Sequence, residues 1–175
     1  MQLSPLQLLG HRFDGVCVTP VEGYVADPKF STGLVFFPGQ LALSADTGMA
    51  VLGEEPAYSD YGVRLTLRVA PKEENQAPYN VQIAVRGVVR MHLTQALNQA
   101  QERRMRARVN GISSLYGVVR EMVSSITSRS AHGAMLLPSL SFADLATQKP
   151  ADEPAELGAL DAKRKAATKR IRAKA

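Results

Sequence analysis

Ser128, Ser130, His132 and Gly133 crowd into one short stretch, "SRSAHGAMLLPSLSF", from Ser128 to Phe142. A serine beside a histidine suggests acyl transfer, in which the imidazole takes the hydroxyl proton and nearby amides stabilise the oxyanion. The same letters also describe a helix end, an apolar connector and the start of a second helix. Ser, His and Gly gather at helix ends for capping reasons, and no Gly-x-Ser-x-Gly elbow occurs in the chain. The helix-end reading is preferred, with no catalytic residue assigned and the chain read as a non-enzyme. His11, His92 and His132 are scattered, and none has a second ligand at helical spacing. Cys17 is the only cysteine, so neither an intrachain disulfide nor a cysteine-based metal site is expected. Neither a phosphate-binding P-loop nor a dinucleotide-binding glycine pattern is present. No metal and no cofactor are expected.

Charge gives a second lead. The net charge is +5 and the pI about 9.6, but the excess is concentrated in Lys163, Arg164, Lys165, Lys169, Arg170, Arg172 and Lys174. Upstream of that tail the charges nearly cancel. Two weak, salt-dependent polyanion sites follow as expectations: the tail, and a helix face carrying Arg103, Arg104, Arg106 and Arg108. Residues 149–175 read as a flexible Ala/Lys/Arg-rich tail, because they hold almost no large apolar side chains. Residues 1–148 read as one domain. With no membrane-length apolar run and no signal-like N-terminus, a cytoplasmic location is expected, without membrane insertion.

The elements that must position these groups are legible in part. "YGVRLTLRVA" alternates, with Tyr61, Val63, Leu65, Leu67 and Val69 on one face. "YNVQIAVRGVVRM" does the same through Tyr79, Val81, Ile83 and Val85. A short polar connection makes them an antiparallel hairpin. Gly87 is expected at a bulge, where Val88 and Val89 break the pattern. Two weaker strands precede them, "LQLLGHRFDGVCVT", irregular enough to bend, and "GLVFFPGQLALSA"; "DTGMAVLGEEPAYSD" reads as a loop. Leu93 to Arg108 favours helix by propensity. A second helical stretch begins with Asn110 or Ser113 as its cap and carries a stripe of Leu115, Val119, Met122 and Ile126, widened by Val118. Ser141 with Asp144 resembles a capping box opening a short helix. The fold class is therefore α+β, a four-stranded antiparallel sheet with a long helix on one face and a short second helix.

The run Arg120 to Leu145 resembles the corresponding region of SecB, the bacterial protein-export chaperone. The matching residues are Arg120-Glu121, Ser128-Arg129-Ser130-Ala131, Met135-Leu136-Leu137-Pro138 and Ser141-Phe142-Ala143-Asp144-Leu145. The hairpin strands resemble the family's central pair, and "HRFDGVCVTP" its first strand. The resemblance implies a homotetramer, a dimer of dimers, that holds unfolded or nascent clients in apolar grooves without ATP. By position it implies groove residues Leu34, Phe36, Phe37, Tyr116, Val119, Leu140, Phe142 and Leu145. Phe36 and Phe142 serve equally well as core. Leu115, Met122 and Ile126 are assigned to core or oligomer packing. The family docks the SecA motor through acids on its exposed sheet face. Asp14 occupies one such position, whereas Val18 and Gln82 occupy others, and the tail is basic. These departures suggest a specialised member with a dedicated client such as a toxin. The alternative is a non-enzymatic interaction module that binds an acidic partner or nucleic acid through the basic helix and tail.

Overall fold

The computed structural model describes residues 4–25, 41–73, 77–93 and 99–146. Four strands, β1 (Leu6–Pro20), β2 (Leu41–Glu54), β3 (Tyr58–Pro71) and β4 (Tyr79–His92), precede one long helix, α1 (Ala100–Thr127). A single 3-10 turn, Ala143–Ala146, closes the described chain. The strands form one antiparallel sheet in the order β1-β4-β3-β2, so the two edge strands come first in sequence.

The alternating rows behave as their period demands. Tyr61, Leu65, Leu67, Tyr79, Ile83 and Val85 are fully buried beneath α1, and the registers Leu65↔Val85 and Leu67↔Ile83 bring the rows side by side. Burying each such side chain contributes roughly 1.5–3 kcal/mol, which fixes the register of the central pair.

Three expectations about the strands are corrected. The first concerns the stretch expected as a loop after residue 45, which instead belongs to β2 as far as Glu54. Thr47, Met49 and Val51 pair with Leu65, Val63 and Tyr61 on the helix side, a period of two masked by the small residues between them. Residues 33–40 of the expected second strand lie outside the described residues. The second concerns Gly87, which holds an unbroken register while the bulges lie in β1, between Leu8 and Gly10 and between Phe13 and Gly15. These two bulges account for the irregular pattern of that strand. Gly87 is needed for clearance, since a Cβ there would stand 3.0 Å from both the Gly10 carbonyl oxygen and Leu115 Cδ2. The third is Val88, which turns to the opposite face, so Val89 and Met91 continue the buried row.

The helix is also corrected. It runs unbroken from Ala100 to Thr127, so Asn110 and Ser113 lie inside it and cap nothing. Ser113 Oγ donates to the Val109 carbonyl and Ser114 Oγ to that of Asn110, each at 2.8 Å, the usual use of a serine within a helix. Gly111 does not interrupt the helix because it marks the close approach to the sheet, where a Cβ would lie 3.1 Å from Val63 Cγ1. The buried seam runs through Ala107, Gly111, Ile112, Leu115, Val119, Val123 and Thr127. Met122 and Ile126, expected on the stripe, are half-buried beside it. The expected short helix is one 3-10 turn, opened by the Ala143 amide donating to Ser141 Oγ at 3.4 Å.

Candidate functional site

The stretch after α1 is built to fasten a connector onto the helix. Thr127, fully buried, donates from Oγ1 to the Val123 carbonyl at 2.7 Å and accepts the Met135 amide at 2.8 Å. The side chains of Met135 and Leu137 then drop into the core. The chain runs back along α1 towards its start. Arg120 Nε donates to the Leu137 carbonyl at 3.0 Å, Tyr116 OH to that of Pro138 at 2.5 Å, and Arg108 to that of Leu145 at 3.4 Å. Three side chains of one helix thus carry the connector's carbonyls. Burial pushes the Tyr116 hydroxyl up to about 12, against an opposing pull from the Arg120 charge.

The serines and histidine of the opening stretch serve the same fastening. Ser128 Oγ donates to the Ser125 carbonyl and Ser130 Oγ to that of Ile126. The Tyr79 hydroxyl accepts the His132 amide and donates to the Gly133 carbonyl, each at 3.0 Å. The His132 ring lies between Tyr24 and Tyr79, with centroids 5.2 and 5.7 Å away. Gly133 has φ +76°, the left-handed conformation that turns the chain out of the helix end. Among the described residues no cluster of His, Cys, Asp and Glu has metal-binding spacing.

The expected groove residues divide into three groups. Tyr116, Val119 and Phe142 are in the core; the Tyr116 and Phe142 rings meet edge to face at 5.5 Å. Leu140 and Leu145 pack on that core and remain partly exposed. Leu34, Phe36 and Phe37, and the seven basic tail residues, lie outside the described residues. Leu115 is core, whereas Met122 only packs against it.

Sequence reasoning missed the edges of the sheet. α1 lies over β4, β3 and β1, and the helix-facing side chains of the two central strands are sealed. Those of the edge strands are not. Phe13 and Val18 of β1, and Leu43 and Met49 of β2, are only partly covered, and Val16 and Val51 are each 41% exposed. Registers with Val85, Ile83, Val81, Val69, Val63 and Tyr61 place all six on the helix side. At one end of the β2 edge, residues 41–44 with Arg68, Val69, Ala70 and Lys72 line an open hollow of about 580 Å³, and Ala42, Ser44, Arg68 and Ala70 of that lining belong to the face turned away from α1. The weak alternation of β1 was the one available signal, since a doubly bulged edge strand leaves its side chains unevenly covered.

The charged candidates are largely engaged within the chain. Arg104 reaches Glu54 at 3.6 Å, and Arg106 reaches Glu102 at 2.7 Å. Arg108 is buried. Asp14 is gripped by Arg86 at 2.6 Å and approached by Arg12 at 3.4 Å. Among the described residues no helix is long and apolar enough to cross a membrane.

The sequence matches no protein-family model and no curated protein. Among solved structures, the chain aligns with the Mycobacterium tuberculosis Rv1957 SecB-like chaperone in complex with a ChAD peptide from the Rv1956 HigA1 antitoxin. That alignment has 18% identity and a TM-score of 0.46, and covers 78% of this chain and 88% of that one. A protein of unknown function from Streptococcus agalactiae aligns at 8% identity and a TM-score of 0.45, over 78% of this chain and 97% of that one.

Proposed function

We propose that the protein is an ATP-independent holdase that keeps unfolded or nascent polypeptide segments from aggregating. The observation that carries this reading is the half-covered apolar margin on the helix side of both edge strands. An unfolded segment laid along such an edge gains main-chain hydrogen bonds from the strand and buries its apolar side chains against Val51, Met49 and Leu43, or against Val16 and Phe13. Each large side chain buried contributes roughly 1.5–3 kcal/mol, and ordering the segment takes back roughly 1–2 kcal/mol per residue fixed. Binding is therefore modest per contact and needs several contacts at once. Apolar contacts without fixed polar partners read little sequence, and methionines such as Met49 and Met122 adapt to different clients. The likeness of Arg120–Leu145 to SecB supports the same reading, and with it a homotetramer of two dimers. Release follows mass action, with no nucleotide in the cycle.

Two finer choices belong to this proposal. Asp14, the acid expected to help dock a SecA-type motor, is held by Arg86 and Arg12, which favours a dedicated client, such as a toxin–antitoxin pair, over general export. The leucine pair Leu140 and Leu145, with Phe142 beneath, forms a further client contact once the connector loosens from α1. The test is aggregation of a chemically unfolded reporter protein, followed by light scattering with the full chain at stoichiometric ratio and no nucleotide. Scattering should fall, and Val51→Ser combined with Val16→Ser, the two most exposed residues of the margin, should restore much of it with little change in the thermal unfolding profile. A correctly assembled complex that leaves scattering unchanged would sink the proposal. Solution mass reports whether that complex is a tetramer.

A further inference from the structure

The start of α1 is held to the sheet by less than the rest of the helix. Every large apolar side chain of the buried seam, from Ile112 and Leu115 to Val123, lies after Gly111; before it the buried residues are Ala107 and Arg108. Gln99, at the cap position, makes no side-chain bond to the first amides, and Met105 is 38% exposed. Arg104 reaches Glu54 across 3.6 Å, with both side chains about half exposed. The Arg108 bond to the Leu145 carbonyl, 3.4 Å, is the longest of the three that fasten the connector.

What this start covers is partly polar. Ser59 and Tyr61, both on the helix side of β3, are 1% and 0% exposed. Neither Ser59 Oγ nor Tyr61 OH has a hydrogen-bond partner among the described residues. Gly111 stands over Val63, and Arg104, two turns earlier, reaches Glu54, the strand partner of Ser59. The first turns of α1 therefore pass above Tyr61 towards Ser59. An enclosed hydroxyl without a partner has given up water and gained no bond in return, which favours a rearrangement that lets it out. The helix carries a joint at the right place. Ser113 and Ser114 return their hydroxyls to the Val109 and Asn110 carbonyls on either side of Gly111, and helices bend where serines bond back beside a glycine.

We propose that Ala100 to Asn110 form a lid, hinged at Gly111, which lifts from the sheet to admit an unfolded client segment onto Tyr61 and Ser59. Tyr61 pairs with Val51 and Ser59 with Glu54, so the ground uncovered is continuous with the apolar margin of β2. There the tyrosine ring offers apolar surface, and the two hydroxyls donate to main-chain carbonyls of an extended segment, whatever its side chains. A folded protein has few unpaired carbonyls to give, so the uncovered site favours unfolded chains. In what the lid admits, the inference rests on the holdase reading; in the motion of the lid, it does not. Client affinity then scales with the fraction of protein whose lid is open.

The test is hydrogen exchange of the full chain, read by mass spectrometry on overlapping fragments. Amides 104–110 should exchange as one block, faster than amides 115–123, with a step at Gly111. Tyr61→Phe and Ser59→Ala each delete one enclosed hydroxyl, so each should slow that block about tenfold, the worth of one orphaned group. Misfolding cannot produce such a slowing. In the light-scattering assay, Tyr61→Phe should need more protein than the parent, up to about tenfold, for the same suppression. The lid is overturned if exchange fades evenly from Ala100, as ordinary fraying does, or if 104–123 exchange together. It is also overturned if Tyr61→Phe leaves the block unchanged or speeds it, which would give that hydroxyl a partner such as an enclosed water. A Tyr61→Phe variant whose block slows but which suppresses aggregation as the parent does overturns the gating of clients. A parent without suppression sinks the holdase reading alone, and exchange still decides the lid.

Discussion

Thr127→Val is a direct test of how the connector is held. The substitution keeps the volume and β-branching of the side chain but deletes the atom that accepts the Met135 amide. That amide is buried, its hydrogen bond to Thr127 Oγ1 is 2.8 Å long, and the threonine is fully enclosed. Leaving a buried donor unsatisfied costs about 1–3 kcal/mol. The Val123 carbonyl also loses a 2.7 Å bond but keeps its helical partner, so its share is smaller. About 2 kcal/mol is the expected total, or roughly 6 °C in Tm for a fold of this size. Thr127→Ser keeps the hydroxyl and removes one buried methyl, for about 1 kcal/mol. The assay is urea unfolding at one fixed protomer concentration, because an oligomer's midpoint moves with concentration. The valine variant should show a lower midpoint at unchanged slope, and the Met135 amide should exchange faster with solvent. A valine variant as stable as the parent, or a serine variant that is worse, would refute the reasoning.

Other consequences are as direct. Gly87→Ala should lower stability by about 1–3 kcal/mol in the same urea assay, since its Cβ meets a backbone oxygen that cannot step aside. Stability should decline between about pH 10 and 12 in part through Tyr116: its folded value is raised to about 12, so the unfolded chain loses this proton first as pH rises. In alkaline urea titrations, Tyr116→Phe should make that decline shallower than in the parent. A double-mutant cycle on Arg104 and Glu54, each about half exposed, should return a coupling below about 0.5 kcal/mol that vanishes in high salt.

How far the sequence could be read depended on whether each element carried its own pattern. β3 and β4 were legible residue by residue because both have one wholly buried face, and alternation is then enforced at every position. β1 and β2 are edges, and an edge tolerates bulges, small residues and exposed valines. Their boundaries therefore came from pairing with a neighbour rather than from local preference. The long helix was divided in error at Asn110 or Ser113 because a local rule, Asn and Ser as helix caps, lost to a tertiary one, a buried seam that runs on through Ala107 and Gly111 against the sheet. The connector and its 3-10 turn were placed correctly in order, yet nothing local announced that Tyr116, Arg120 and Thr127 would carry its backbone.

The strand order has a consequence for how the chain comes to be folded. Among the described residues β1 pairs with β4 and β2 with β3, so the earliest strand stays unpaired until the three that follow it have been made. β2–β3 and β3–β4 are both antiparallel hairpins, joined through residues 55–57 and 72–78, and the β3–β4 pair, with two buried rows, supplies the natural starting point for folding. Until that hairpin exists, β1 and β2 are loose apolar strands of the kind that associate with whatever is nearby. A chain proposed here to shelter unfolded polypeptides thus spends the first part of its own synthesis as one.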